Sequence, residues 1–143
     1  MEKKEDLYFL LKLIGDAIET KANNQLKHYD MTLSQGRVLA YLYERRGEKI
    51  AQRELEDYFQ VSHPTINGIL KRLESKGYVQ SEVDDLDKRV KNVYLSPDYL
   101  GKSLKAAALQ KEMEATMTRG IPKNQVEEFR GMLHQMLVNL ETR

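Results

Sequence analysis

From Ile50 to Ser96 the chain reads IAQRELEDYFQVSHPTINGILKRLESKGYVQSEVDDLDKRVKNVYLS. No other stretch limits the fold so tightly. Gln52–Phe59 has the pattern of a short helix with Leu55 and Phe59 turned inward, and Glu54 suits its first turn, where backbone N–H groups favour an acid. Gln60 and Val61 leave room only for a turn. Ser62 is an N-cap for the next helix, and Pro64 falls early enough that its missing N–H costs nothing. Ile66, Ile69, Leu70 and Leu73 follow at helical spacing, and Gly77 ends the helix. Tyr78–Val83 and Val90–Leu95 are rich in β-branched and aromatic residues, with the charged turn Asp84–Lys88 between them, so they form a hairpin.

The flanks are helical. Residues 6–29 carry Leu7, Leu10, Leu11, Ile14, Ala17, Ile18 and Leu26 at helical intervals. Leu7-Tyr8-Phe9-Leu10-Leu11 is apolar on more than one face, which a second subunit would cover. Thr32 and Gln35 make a capping box ahead of a helix bearing Val38, Leu39 and Leu42, with Gly47 as its left-handed stop. Ser96-Pro97-Asp98 is a helix start, and the helix is expected to run to about Thr118 before Gly120-Ile121-Pro122 breaks it. A last helix carries Val126, Phe129, Leu133, Met136, Leu137 and Leu140, a seam suited to a partner helix. The expected class is mainly α with a small β-hairpin: a winged helix-turn-helix flanked by N- and C-terminal dimerisation helices.

At 143 residues the chain has the length of one domain. Its net charge of +1 says little, but the charges are unevenly placed. Lys71, Arg72 and Lys76 oppose only Glu74 between Ser62 and Lys76, while acids gather in 1–19 and 112–128. The absence of cysteine excludes disulfides, thiolate-bound metals and thiol redox sensing, and it fits a cytoplasmic protein. The opening residues lack a signal-peptide cleavage pattern, and Lys12 breaks an apolar run already too short to span a membrane, so no membrane partner is expected. His28, His63 and His134 lie in separate segments. Asp84, Asp85 and Asp87 lack the Gly and distal Glu of a calcium loop, so no metal and no cofactor is expected. No nucleophile elbow, phosphate-cradling glycine loop or carboxylate pair stands out, which argues against an enzyme.

The second helix of the pair has a polar leading edge opposite its apolar face: Ser62, His63, Pro64, Thr65, Asn67, Gly68, Lys71 and Arg72. Short hydrogen-bonding side chains at a helix N-terminus suit phosphates and base edges. Asn67 could read an adenine edge, and Lys71 a guanine or a phosphate. Gly68 lets a groove wall approach closely. His63 could donate to a phosphate, more strongly at low pH. In the hairpin, Lys88, Arg89 and Lys91 are cations suited to an adjacent minor groove, and Asp87 is close enough in sequence to hold Arg89. Leu86 is odd for a solvated tip; it either contacts its own strands or meets sugar edges in a groove. Double-stranded DNA is the expected partner. The alternative is a winged-helix protein-interaction module that binds no DNA.

Taken in order, these pieces resemble the MarR family of bacterial transcriptional regulators. The resemblance rests on Leu33-Ser34-Gln35 with Val38, Leu39 and Leu42, on Glu54-Leu55, on Val61–Thr65, on Leu73–Val79, and above all on Asp84–Arg89 followed by Val93-Tyr94-Leu95-Ser96. The family's Asp-x-Arg-x-Lys wing pattern falls on Asp87, Arg89 and Lys91. The resemblance implies one MarR-like domain over 1–143, with the winged helix-turn-helix at 32–96 and dimerisation helices at 1–30 and 97–143. It also implies a homodimer on a pseudo-palindromic operator, often a repressor released by a small-molecule effector whose pocket no motif marks. Two departures stand out. Ala51 replaces the usual capping Ser or Thr, and the junction Ser96–Gly101 is longer than usual. With no cysteine and only scattered histidines, the peroxide- and zinc-sensing branches are not expected.

Overall fold

Apolar spacing, caps and left-handed stops build six helices and a small sheet in the computed structural model, which describes residues 4–141. The outermost residues of the 1–143 span, 1–3 and 142–143, lie outside the described residues. The order is α1 (Leu7–Leu26), a 3₁₀ turn (Lys27–Tyr29), α2 (Leu33–Glu44), β1 (Ile50–Ala51), α3 (Gln52–Phe59), α4 (His63–Ser75), β2 (Val79–Val83), β3 (Lys91–Leu95), a second 3₁₀ turn (Pro97–Tyr99), α5 (Leu100–Met117) and α6 (Lys123–Leu140). Residues up to Lys111 make one compact unit and those from Glu112 another.

In the first unit, local chemistry sets the boundaries. The Asp6 carboxylate caps α1 by accepting the Phe9 N–H at 2.8 Å. The Thr32–Gln35 capping box forms as expected at the head of α2. Ala51 precedes α3 with no side-chain cap, as its methyl group requires. The turn between α3 and α4 is left-handed at Gln60, whose φ of 54° puts a non-glycine where the chain must reverse. Gly77 ends the run after α4 with φ 82°, and a Cβ there would meet the Tyr99 ring at 3.1 Å.

Two sequence expectations change. The hairpin gains a third strand: β1 pairs antiparallel with β3, Ile50 opposite Val93, giving the order β1-β3-β2. Two residues are too few to show alternation. Ser96 does not cap a long helix; Pro97–Tyr99 turns as 3₁₀ first, Ser96 makes no side-chain cap bond, and α5 starts at Leu100.

The core lies beneath α2, α4 and the sheet. Leu39, Leu55, Ile66 and Leu73 are fully enclosed, joined by Val38, Leu70, Tyr78 and Val93. Each such side chain contributes roughly 1.5–3 kcal/mol by leaving water. Ile69 is half-buried and completes the apolar face of α4. A polar bond ties α2 to α3: buried Tyr41 donates its hydroxyl to the Glu54 carboxylate at 2.6 Å. Tyr41 also packs against Tyr58 and Phe59, with the Arg45 guanidinium over its ring at 3.9 Å.

Burial, then the Glu54 carboxylate, push the Tyr41 phenol up to about 12. A raised folded-state value stabilises the protein below the unfolded value of about 10 and is lost as pH rises through the folded one. Chemical denaturation should therefore show stability falling between pH ~10 and ~12. Tyr41→Phe should remove that step and cost about 1 kcal/mol at neutral pH through the lost hydrogen bond.

Candidate nucleic-acid interface

α4 displays the polar edge that its sequence implied. Ile66, Leu70 and Leu73 are buried, which fixes the helix's rotation about its axis. Ser62, His63, Pro64, Thr65, Gly68, Lys71 and Arg72 are exposed, and Asn67 is half-buried. Ser62 caps the helix by accepting the Thr65 N–H at 3.3 Å, and its hydroxyl lies 3.0 Å from the Thr65 hydroxyl. His63 is held by a bond of 2.7 Å between its Nδ1 and the Glu56 carboxylate of α3. That bond commits one ring nitrogen to the protein.

Lys76 differs from the surface role that its charge suggested. Its ammonium turns back and donates to the Asp30 carbonyl and, at 3.0 Å, to the buried Gln35 side chain. Asp30 itself is left-handed, φ 55°, at the joint between the first 3₁₀ turn and α2. The cations of this helix that remain exposed are Lys71 and Arg72.

In the wing, Arg89 projects with its side chain 90% exposed, yet it is gripped. The Asp87 carboxylate accepts the Arg89 Nε–H at 3.0 Å, Nη2–H at 3.1 Å and backbone N–H at 3.0 Å. That is the charge-assisted hold expected from the spacing. Lys88 and Lys91 are exposed beside it. Leu86, 93% exposed, does not pack on its own strands. Asp85 is exposed as well.

Sequence reading missed the residue that organises this loop. The Asp84 carboxylate accepts the Leu86 and Asp87 backbone N–H groups at 3.0 and 3.1 Å, and the buried Asn92 amide at 2.8 Å. It also pairs with Lys49 at 2.9 Å. Lys49 first, then Asn92 and the two backbone donors, hold Asp84 far below the usual carboxylate range. A depressed folded-state value stabilises above the unfolded value of about 4 and fades as pH falls below it. The bonds to Leu86 and Asp87 are an Asx-turn, a local signal in Asp84-Asp85-Leu86-Asp87. Lys49 is 35 positions away and carries no such signal. On the other edge of the wing, the Ser81 hydroxyl donates to Glu74, joining β2 to the last turn of α4.

Among the described residues, no group of three or more His, Asp or Glu side chains is placed to hold a metal ion. No helix among them is long and apolar enough to cross a membrane.

This architecture is a winged helix-turn-helix. A profile of the MarR family matches residues 29–90, covering the helix-turn-helix and most of the wing. YybA of Bacillus subtilis (strain 168), an uncharacterised HTH-type transcriptional regulator, is 25% identical over 138 residues, spanning 95% of this chain and 89% of its own. S. aureus MepR in a DNA complex matches with a TM-score of 0.87 at 26% identity over 95% of this chain and 99% of that one. MepR in its DNA-binding conformation matches at 0.88, with 27% identity over 96% and 100%. Residues 29–90 are thus similar to the MarR family, and the relatives that the chain resembles along most of its length are transcriptional regulators.

Gly68 is the one break in α4's helix-forming interior, and a Cβ built there meets nothing within 4 Å. Gly68→Ala should stabilise the isolated protein by about 0.5–1 kcal/mol in urea unfolding, since alanine loses less backbone entropy.

Proposed function

We propose that this chain is a homodimeric, sequence-specific DNA-binding repressor, cytoplasmic and responsive to a small-molecule effector. The observation that carries the reading is the exposed edge of α4, from Ser62 to Arg72, on the same compact unit as a wing whose Arg89 is preset by Asp87. α4 enters the major groove: Thr65, Asn67 and Lys71 reach base edges, while Ser62, His63, Pro64 and Arg72 meet the backbone. Arg89, with Lys88 and Lys91 and positioned by Asp87, follows the adjacent minor groove, where the potential is most negative. The MepR–DNA complex supports this docking by its likeness in fold.

Two apolar surfaces support a dimer. On α1, Leu7, Tyr8, Phe9, Leu10, Leu11, Leu13 and Ile14 are all exposed. α6 has no buried residue at all, although Phe129, Met132, Leu137, Val138 and Leu140 lie along it. Val126, Leu133 and Met136 are half-buried, and the apolar residues left exposed along the helix call for a partner. In this reading, 1–30 and 97–143 supply the dimer contacts and 32–96 the reading head. Two-fold symmetry then sets half-sites about one turn of DNA apart, roughly 10 bp. An effector would act by shifting the separation of the two α4 helices.

The test is a gel-shift against genomic fragments at several salt concentrations. The expected result is retention that weakens steeply with salt, and an Arg89→Ala variant whose log–log slope is shallower by roughly 1. Salt-independent behaviour, or no retained duplex, would refute DNA binding and leave the protein-interaction module. Gly68→Ala should weaken retention while stabilising the fold, because the added methyl group stands where the duplex must approach. Equal retention would remove Gly68 from the interface.

A further inference from the structure

Asp84 is the most heavily bonded side chain of the wing, yet it is turned into the loop rather than outward: its side chain is 13% exposed, against 90% for Arg89. One oxygen closes the turn through the N–H groups of Leu86 and Asp87; the other ties the loop to Asn92 of β3 and to Lys49. The Asp84 N–H donates to the Val90 carbonyl at 2.8 Å, and the Val90 N–H donates to the Asp87 carbonyl at 3.0 Å, so the loop is braced on both sides of Arg89. The carboxylate of Asp87, whose backbone is thereby fixed, in turn grips the Arg89 guanidinium at two points. Two carboxylates therefore act in series. The inner one fixes the backbone of the outer one, and the outer one fixes the guanidinium.

We propose that Asp84 is a positioning residue for DNA binding, acting through Asp87 to hold Arg89 in its reading geometry. The inference rests on the DNA-binding role of Arg89 proposed above. Its physical basis is preorganisation: an arginine already ordered in the free protein loses less freedom on docking. Lys49 fits the same role from outside the wing. It anchors Asp84 to the segment entering β1, so the loop is set relative to the body and not only within itself.

Charge makes the test sharp. Asp84 is an anion, and deleting an anion near DNA should tighten binding by simple electrostatics. Positioning predicts the opposite sign. Asp84→Ala should weaken operator binding roughly three- to tenfold, the loss expected from freeing one long side chain, with the salt slope of the wild type retained. In an Arg89→Ala background the same substitution should change affinity less than twofold. Asp84→Asn, nearly isosteric, serves if the alanine variant fails to fold, and is expected to behave the same way. A DNA-free readout stands beside these: the Arg89 Nε–H resonance should move toward the position of an unrestrained arginine in Asp84→Ala. Equal losses in both Arg89 backgrounds, tighter binding, or an unmoved Nε–H resonance would overturn the proposal. If Arg89→Ala binds as the wild type does while the resonance still moves, the relay exists but the reading of Arg89 as a DNA contact fails, and the binding role of Asp84 falls with it.

Discussion

The rotation of one thirteen-residue helix governs what this protein can present to a partner. Ile66, Leu70 and Leu73 insert into the core beneath α2 and the sheet, and α4 then has no freedom to turn about its axis. At about 100° per residue, Gly68, Lys71 and Arg72 between those anchors then face away. The polar edge is thus a by-product of hydrophobic burial. A chain can vary its outward residues without disturbing the packing that aims them, so the fold leaves open what those residues recognise.

The wing is aimed by different physics. Its tip has no core to press against: Leu86 and Arg89 are almost wholly in solvent. Order there comes from anions accepting hydrogen bonds, Asp84 from backbone and amide donors and Asp87 from a guanidinium. Such bonds are directional and strong when one partner is charged. The two exposed elements therefore differ in what disturbs them. Loss of apolar contact would loosen the helix, while acid would loosen the wing.

Most of the architecture was legible because local chemistry and the global fold agree. The capping box at Thr32, the cap at Ser62, the left-handed Gly77 and the Asp87–Arg89 grip all follow from spacings of two to four residues or from single-residue preferences. What escaped were features created by residues far apart in sequence. β1 is two residues long and exists because β3 offers it an edge. The Lys49–Asp84 pair closes over 35 positions, and the Lys76 contacts with Asp30 and Gln35 over more than 40. Ser96 looked like a helix cap, but the chain needs a tighter turn there before α5 begins.

The Lys76 contacts carry a mechanical consequence. They fasten the tail of α4 to the joint where α1 gives way to α2, while the head of the helix carries the polar residues. Thirteen residues make a rod about 20 Å long. Ile66 and the His63–Glu56 bond also hold the head, so strain at the tail is resisted there, and a tilt of about 5° moves the Ser62 tip by about 2 Å relative to the tail. Ser62, at that tip, would lose a hydrogen bond to any fixed acceptor at such a displacement. The joint between α1 and α2 is thus one of two anchorages, with α3 at the head, through which strain reaches what α4 can touch.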